Sequence, residues 1–320
     1  MLSVMSALSN VNLKTLHSAG DVRRGSARKF FTFSRKIFRG GPSGRTRGEG
    51  FETQIKYSQI WYDCSMRLID SHCHLHDTEF FGDLREEVYE RAAAAGVGMI
   101  CVGTDERSST QAVQFAKGHA DVWAAVGVHP HDARLGWSEI GRLLQEDRKQ
   151  DKPNIVAVGE IGLDYFYDNS PRDIQRQSLE SQLQLAMEYH VPVSFHVRDA
   201  FDDFWPIFRN FPGVRGVLHS FTDSKENAEK GLSHNLYIGM NGISTFTKDA
   251  KQQELYRTLP LEKILLETDA PFLTPAPLRG RMNEVGYVEL VAKHVASERH
   301  ISLDEVTHTT LQNTRTLFNI

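Results

Sequence analysis

The 320-residue sequence predicts an α/β fold of the (β/α)8 barrel class, and three observations lead to this prediction. Eight short segments rich in Val, Ile and Leu alternate with longer amphipathic segments from Arg67 onward. Continuous apolar segments of this length are typical of parallel strands that helices bury on both faces. Eight such units over about 250 residues match a (β/α)8 barrel, whose active sites lie at the carboxyl ends of the strands.

The predicted elements follow one another regularly along the chain. The strands are expected at 68–70, 97–102, 122–128, 155–158, 193–195, 214–218, 236–239 and 264–266. Helices are expected at 84–95, 109–117, 137–149 and 174–189, with further helices between the later strands. Gly96 ends the first helix because glycine favours helix termini, and Leu179, Leu183 and Met187 show the helical spacing of a core stripe in the fourth.

Residues 1–66 are predicted to form a basic leader, separate from a single (β/α)8 domain at 67–320. Residues 1–50 contain ten Lys and Arg against two acids, which leaves a net charge of −12 for residues 51–320. An Arg-rich, acid-poor N-terminus is typical of an organelle transit peptide, which predicts a mitochondrial or other organellar location. A disordered tail, a nucleic-acid-binding arm and an untranslated stretch before a start at Met66 are alternatives. Without a transit peptide we expect a cytoplasmic protein.

Composition excludes several classes of protein. The sequence has no run of about 18 apolar residues, so we expect no membrane partner. Its three cysteines, Cys64, Cys73 and Cys101, lack metal-finger spacing and are odd in number, which argues against a disulfide framework. The acidic body is unlike a general nucleic-acid binder, so metal ions and a few arginines must attract any phosphate substrate. No obligate protein partner is indicated.

Two histidines one residue apart, His72 and His74, end the first predicted strand. Side chains two residues apart on a strand point to the same face, so both imidazoles can reach one divalent metal, whereas Cys73 faces away and packs. Surface histidines also produce this pattern, so the assignment depends on ligand-type residues after other strands. These are Glu160, His196, His219 and Asp269. All six side chains are expected on the same rim of the barrel.

Four histidines and two carboxylates suit Zn²⁺, Mn²⁺, Co²⁺ or Ni²⁺, with Mg²⁺ less favoured. One zinc ion needs only three protein ligands and a water, so six ligands predict two ions that share an activated hydroxide. The predicted assignment is His72, His74 and Asp269 on one ion, His196 and His219 on the other, and Glu160 as the bridge. Glu160 and Asp269 are therefore the predicted catalytic residues, and Asp269 can take the proton from the attacking water.

Two further residues on this rim are predicted to bind substrate. His129 follows the third strand and can contact a phosphate or serve a structural role. Arg198 lies two residues beyond His196 and can clamp a phosphate oxygen. The alternative for Arg198 is a salt bridge to Asp199 or Asp164.

The loop after the fourth strand contains residues with two possible roles each. Asp164 can orient a metal-binding histidine. Tyr165 and Phe166 can stack on a splayed base, or they can pack against the loop. His131, which follows the third strand, is expected to be structural.

The segments that contain these residues resemble the TatD-type metal-dependent deoxyribonucleases of the amidohydrolase-like barrel group. The matching segments, in family order, are Ile-Asp-Ser-His-Cys-His-Leu at 69–75, Gly-Val-His-Pro at 127–130, Gly-Glu-Ile-Gly-Leu-Asp-Tyr at 159–165, Phe-His-Val-Arg-Asp-Ala at 195–200, Val-Leu-His-Ser-Phe-Thr at 217–222 and Leu-Glu-Thr-Asp-Ala-Pro at 266–271. The resemblance covers 67–320 and implies an ester-bond hydrolase that cuts phosphodiester bonds in DNA. It also implies 3′→5′ exonuclease action, with single-stranded DNA or its 3′ ends as the partner.

Two positions depart from the family pattern. His76 intervenes before Asp77 and is expected on the surface, and Val285 replaces a proline that would favour a helix start.

The ligand set leaves one rival reaction open. An activated hydroxide attacks a carbonyl as readily as a phosphorus, so an ester or amide hydrolase, such as an aminoacyl-tRNA deacylase, is the alternative function. A non-enzymatic barrel would require a missing ligand, and none is missing.

Overall fold

The computed structural model describes residues 66–320, which lie in one compact unit. Except for Met66, the predicted leader lies outside the described residues, as does Cys64. The separation of the leader from the hydrolase domain therefore stays a prediction. No helix of the described chain is long and apolar enough to cross a membrane.

Eight parallel strands form one sheet in which each strand pairs with its neighbour in sequence. The strands are β1 Leu68–Cys73, β2 Val97–Val102, β3 Val122–Val126, β4 Ile155–Asp164, β5 Val193–Arg198, β6 Gly216–Leu218, β7 Tyr237–Met240 and β8 Ile264–Leu266. β8 returns beside β1, so the sheet is a nearly closed barrel with helices between the strands. The predicted (β/α)8 fold is confirmed.

Nine α-helices are found among residues 66–320. They are α1 Arg85–Ala94, α2 Glu106–Gly118, α3 Ser138–Asp147, α4 Arg172–Tyr189, α5 Phe201–Phe208, α6 Lys225–Ser233, α7 Ala250–Thr258, α8 Val288–Arg299 and α9 Leu303–Phe318. Side-chain caps fix several of their first turns: the carboxylate of Asp105 accepts the Ser108 N–H ahead of α2, and Ser302 accepts the Glu305 N–H ahead of α9.

Buried apolar side chains form two clusters, and this division follows from the alternation of side chains along a strand. The larger cluster includes Leu68 and Met99 with helical residues such as Leu179, and lies between the strands and the surrounding helices. The smaller includes Ile69 and Ile100 with residues from the C-terminal end of α9. α9 packs against the amino end of β8, which leaves the carboxyl ends of the strands for a site.

The junction of β8 with β1 is held by a buried carboxyl group. Asp70 is fully buried and accepts both the N–H of Thr268, at 2.9 Å, and its hydroxyl, at 2.5 Å. The N–H of Asp269 donates to the carbonyl of His72 at 2.9 Å. Burial raises the pKa of Asp70 to about 8. We call this set of hydrogen bonds the Asp70 latch. It connects β8 to β1 and also fixes the backbone at His72 and Asp269, two predicted metal ligands.

Three strands, β1, β4 and β5, are longer than the sequence predicted. β4 continues to Asp164 because its pairing register with β5 shifts between Val158 and Ile161, which accommodates Glu160 within the strand. A side chain at Gly162 would overlap the carbonyl oxygen of His196, so glycine is required for this close approach. Glu160 and His196 therefore lie within their strands and not at the strand ends that the sequence indicated.

Candidate metal centre

Histidine and carboxylate side chains converge at the carboxyl ends of the strands. Their donor atoms form three overlapping groups, within each of which all donors lie within 4.8 Å of one another. The groups are His72, His74 and Glu160; His72, His219 and Asp269; and His129, Glu160 and His196. All six side chains that the sequence predicted as ligands are thus brought together, and His129 joins them. His72 and Glu160 each belong to two groups and lie at the middle of the cluster.

On the β1 side, the Nε2 atoms of two histidines face carboxylate oxygens. His72 Nε2 lies 3.4 Å from Glu160 Oε2 and 3.9 Å from Asp269 Oδ1. His74 Nε2 lies 3.2 Å from Asp269 Oδ1. His219, which follows β6, places its Nε2 3.7 Å from Glu160 Oε1 and 3.9 Å from Asp269 Oδ1. These distances allow the five side chains to share bound ions.

The second ring nitrogen of each of these histidines lies close to a polar atom behind the cluster. His74 Nδ1 lies 2.8 Å from the carbonyl of Val102, which can only accept, so this nitrogen donates and a neutral His74 presents the Nε2 lone pair. His72 Nδ1 lies 3.2 Å from Ser194 Oγ. His219 Nδ1 lies 3.0 Å from Glu267 Oε1. All three Nε2 atoms consequently face the cluster.

On the β4–β5 side, one carboxylate connects two histidines. His196 Nδ1 lies 2.9 Å from Glu160 Oε1, and its Nε2 lies 2.9 Å from Asp164 Oδ2. His131 Nε2 contacts the same Asp164 oxygen at 2.9 Å. His129 Nε2 lies 3.7 Å from Glu160 Oε1. Asp164 therefore orients His196, as the sequence indicated, and His131 supports Asp164.

Charge within the cluster lies on the carboxylates and on two of the histidines. Burial favours the neutral form of Glu160, but the surrounding histidines, His129 and His72 foremost, outweigh it and hold its pKa well below the usual range. Burial also opposes charge on His196 and His219, but their carboxylate partners raise the two pKa values to about 9 and about 10. Burial lowers the pKa of His72, whose ring stacks on that of His219 at 3.5 Å. The site thus combines ionised carboxylates, two histidines whose charged form is favoured, and a neutral His72.

One buried atom tests whether these residues fit a metal. His72 Nε2 is buried and has no hydrogen-bond partner among the described residues, although it faces Glu160 and Asp269. Leaving such an atom unpaired is costly, and a divalent cation between these donors would satisfy it. Mixed imidazole and carboxylate donors also match the preference of borderline divalent ions. The residues therefore fit a bound cation.

Three predictions outside the ligand set have clear outcomes. The prediction that His76 lies on the surface is wrong: its ring is fully buried, and its Nε2 lies 2.9 Å from Ser108 Oγ of α2. Cys73 is buried in the core, as expected. Arg198 forms no ion pair with a described residue, so the alternative salt bridge is absent there. Its guanidinium instead lies 4.0 Å from the Phe166 ring centroid.

Sequence reasoning missed two residues that hold the cluster. Ser194 lies two residues before His196 on β5 and therefore shares its face, which was a usable signal. Glu267 lies two residues before Asp269 and is fully buried, and its Oε1 also accepts the Ser220 N–H at 2.6 Å. Ser194 lies inside an apolar strand and Glu267 directly follows one, and a polar residue at such a position indicates contact with the site.

The sequence and the fold of the chain are similar to those of known proteins. A family model described as "TatD related DNase" matches residues 69–319. The metal-dependent hydrolase YabD of Bacillus subtilis is 38% identical over 256 residues, covering 79% of this chain and 99% of YabD. The 3′-5′ ssDNA/RNA exonuclease TatD of Salmonella typhimurium is 34% identical over 266 residues, covering 79% and 99%. The crystal structure of YJJV, a TatD homolog from Escherichia coli K12, superposes with a TM-score of 0.73 at 32% identity, covering 80% and 99%.

Proposed function

The chain belongs to the family of TatD-related DNases and is a metal-dependent hydrolase, and from this membership we propose that it hydrolyses phosphodiester bonds in nucleic acid. The observation that carries the proposal is the convergence of four histidines and two carboxylates at the carboxyl ends of the strands. Barrel enzymes place their reactions at this end of the sheet.

The proposed substrate is a single-stranded nucleic acid, attacked from its 3′ end. This choice is supported by relatives at 34–36% identity that are named 3′-5′ ssDNA/RNA exonucleases. We propose DNA as the main substrate.

We propose that the cluster holds two divalent ions. In this proposal His72, His74 and Asp269 would hold one ion, His196 and His219 would hold the other, and Glu160 would serve both. Its Oε2 faces His72 and its Oε1 faces His196. When bound, two ions would supply an activated water and neutralise the charge that develops on the phosphate oxygens. Zn²⁺, Mn²⁺, Co²⁺, Ni²⁺ and Mg²⁺ are the candidate ions, of which the imidazole donors favour the first four.

The side chains themselves have distinct proposed roles. Glu160 is ionised and buried, and it holds the two halves of the cluster at a fixed separation. Asp269 is more exposed than Glu160, with 16% of its side chain accessible against 5%, and it is positioned to accept the proton of the attacking water. We retain a phosphate-binding role for Arg198. For His129, membership of the group with Glu160 and His196 favours a ligand role over the predicted substrate contact.

The proposal is tested with end-labelled single-stranded DNA and the purified full-length chain. We expect 3′ mononucleotide release that is abolished by chelation and restored by one of the candidate ions. The His72→Ala and Glu160→Ala variants should lose this activity. Full activity of both variants, or hydrolysis of an aminoacyl ester with no action on any oligonucleotide, would contradict the proposal.

A further inference from the structure

Exposed large apolar side chains of the described chain lie on one end of the barrel. Each lies in a segment that connects a strand to the helix after it, and these segments surround the candidate metal centre. They are Leu84, Leu135, Phe166, Tyr167, Phe272 and Met282. Exposed apolar groups that gather on one face mark a binding surface.

The aromatic members form two groups, which we call the β4 platform and the β8 platform. The β4 platform consists of Phe166 and Tyr167, which are 55% and 38% exposed, with the Arg198 guanidinium 4.0 Å and 4.9 Å from their ring centroids. The β8 platform consists of Phe272, which is 37% exposed, with Phe80 edge-on at 5.1 Å. Phe166 therefore projects from its loop and does not pack under it.

The β4 platform is attached directly to the metal centre. Oδ1 of Asp164 accepts the N–H of Phe166 at 3.1 Å and that of Tyr167 at 2.9 Å. Oδ2 of the same carboxylate lies 2.9 Å from His196 Nε2. One side chain thus fixes the platform relative to a candidate ligand.

The β8 platform has an equivalent attachment. The N–H of Phe272 donates to the carbonyl of Asp269 at 2.8 Å, and the Phe272 ring lies 6.3 Å, centroid to centroid, from that of His74. In a ring of eight strands that closes between β8 and β1, the β4–β5 edge lies on the opposite side. The two platforms therefore flank the centre from opposite sides.

We propose that the two platforms stack on unpaired bases on either side of the scissile phosphate and thereby select single-stranded nucleic acid. This inference rests on the proposed nuclease function and deepens it. Aromatic rings stack on the faces of all four bases, but those faces are covered in a duplex. The stacked Arg198 adds a cation next to the β4 platform, where the phosphate backbone must pass. The groups that cover the exposed ring faces are thus the bases of the substrate.

The test uses Phe166→Ala and Phe272→Ala in the full-length chain. Phe211→Ala is the matched control, because Phe211 carries the same ring but lies in the segment between α5 and β6, at the other end of the barrel. Two substrates are compared: a single-stranded oligonucleotide and methyl p-nitrophenyl phosphate, a diester without bases. We expect each Phe variant to raise the KM for the oligonucleotide about 5- to 100-fold, far more than for the small diester. Phe166→Trp should restore the KM, and Phe211→Ala should not change it.

A spectroscopic readout separates stacking from catalysis. An oligonucleotide with 2-aminopurine near its 3′ end is added to protein in EDTA, and stacking on a platform should quench its fluorescence. Phe166→Ala or Phe272→Ala should reduce this quenching. Unchanged KM values and quenching in both variants, or equal losses on the two substrates, would overturn the inference.

The same measurements distinguish the inference from the proposed function. Quenching that depends on the two rings without hydrolysis of any oligonucleotide would remove the nuclease proposal and leave the stacking surface in place. Hydrolysis of oligonucleotides that neither variant affects would support the nuclease proposal and overturn the stacking inference. A change of oligomeric state in these variants, with the KM unaltered, would identify the surface as a protein contact and overturn the inference.

Discussion

The two sides of the candidate metal centre are built differently. On the β1–β8 side, the His72 and His74 side chains are 1% and 7% exposed, and the Asp70 latch lies directly beneath them. On the β4–β5 side, the His196 side chain is 20% exposed, and its carboxylate partner also holds a loop with exposed aromatic rings. The first, which we call the closed side, is part of the barrel closure, and its aromatic loop is attached only through the backbone carbonyl of Asp269. The second, which we call the open side, shares the carboxylate that supports its histidine with a surface loop.

This difference indicates that the two sides have different roles. Ligands whose backbone is hydrogen-bonded within the barrel keep their positions whether or not substrate is present. A ligand whose support is shared with a surface loop responds to what binds that loop. Substitutions on the two sides should therefore affect different measurements.

The largest effect is expected from removing a shared member of the cluster. Glu160→Ala should lower kcat/KM on single-stranded DNA by about 10³-fold or more, because both halves of the cluster lose a donor. Metal analysis of the purified variant should show loss of bound ion. His119→Ala is the control, since His119 contacts Glu86 and the Phe115 carbonyl away from the centre. Loss of activity with full metal content would show that Glu160 does not hold the ions.

The next largest effect is expected on the stability of the closed side, from removing the Asp70 carboxyl group. Asp70→Ala leaves the N–H groups of Thr268 and His72 and the Thr268 hydroxyl without their buried acceptor, which should cost about 3 kcal/mol of unfolding free energy. Urea unfolding in EDTA measures this cost without a contribution from bound metal. Asp77→Ala, which loses one exposed bond to the Glu79 N–H, should cost about 1 kcal/mol or less. Equal costs for the two variants would show that the latch does not stabilise the barrel.

A third effect is expected on the open side, from weakening the contact between Asp164 and the candidate ligand His196. Asp164→Asn weakens the contact with His196 and the loop, and should reduce metal affinity or activity about 10- to 100-fold with a smaller change in stability than Asp70→Ala. Metal titration and urea unfolding of the same preparation measure both. Asp203→Asn is the matched control, because Asp203 pairs with Tyr165 and Arg176 on the same side without touching a histidine. If Asp203→Asn had the same effect, loop order and not ligand orientation would explain the loss.

The smallest effect is expected from Ser194, a neutral residue of β5 that contacts a histidine of the closed side. Ser194→Ala removes the hydroxyl beside His72 Nδ1, but the surrounding strand still holds the ring, so metal affinity should fall by about tenfold or less. Isothermal titration with Zn²⁺ compares it with Ser178→Ala, a buried serine that contacts Gln182 instead. A loss larger than that of Asp164→Asn would reverse the proposed difference between the two sides.

Much of the fold could be read from the sequence because each strand is a continuous apolar segment. The bounds of β2 and β8 agree with prediction, since their apolar segments end where the strands end. β4 did not follow this rule. Glu160 interrupts its apolar pattern, yet the register shift carries the strand on to Asp164, and only contacts with β5 produce that shift.

The ligand positions were predictable because the topology sends the end of every parallel strand to one rim. The surroundings of individual side chains were not. His76 is buried because α2 brings Ser108 over it, and nothing in the local sequence indicates that contact. Arg198 had carboxylates close in sequence, but the conformation of the loop after β4 places Phe166 under its guanidinium. These outcomes depend on tertiary packing, which spacing along the chain does not encode.

The carboxylate of Asp164 has a thermodynamic consequence. Its two oxygens join a histidine of the cluster to the backbone of the aromatic loop, so an oligonucleotide that favours one loop conformation also favours one orientation of that histidine. Reciprocity then requires that a bound ion strengthen oligonucleotide affinity by the same factor by which the oligonucleotide strengthens retention of the ion.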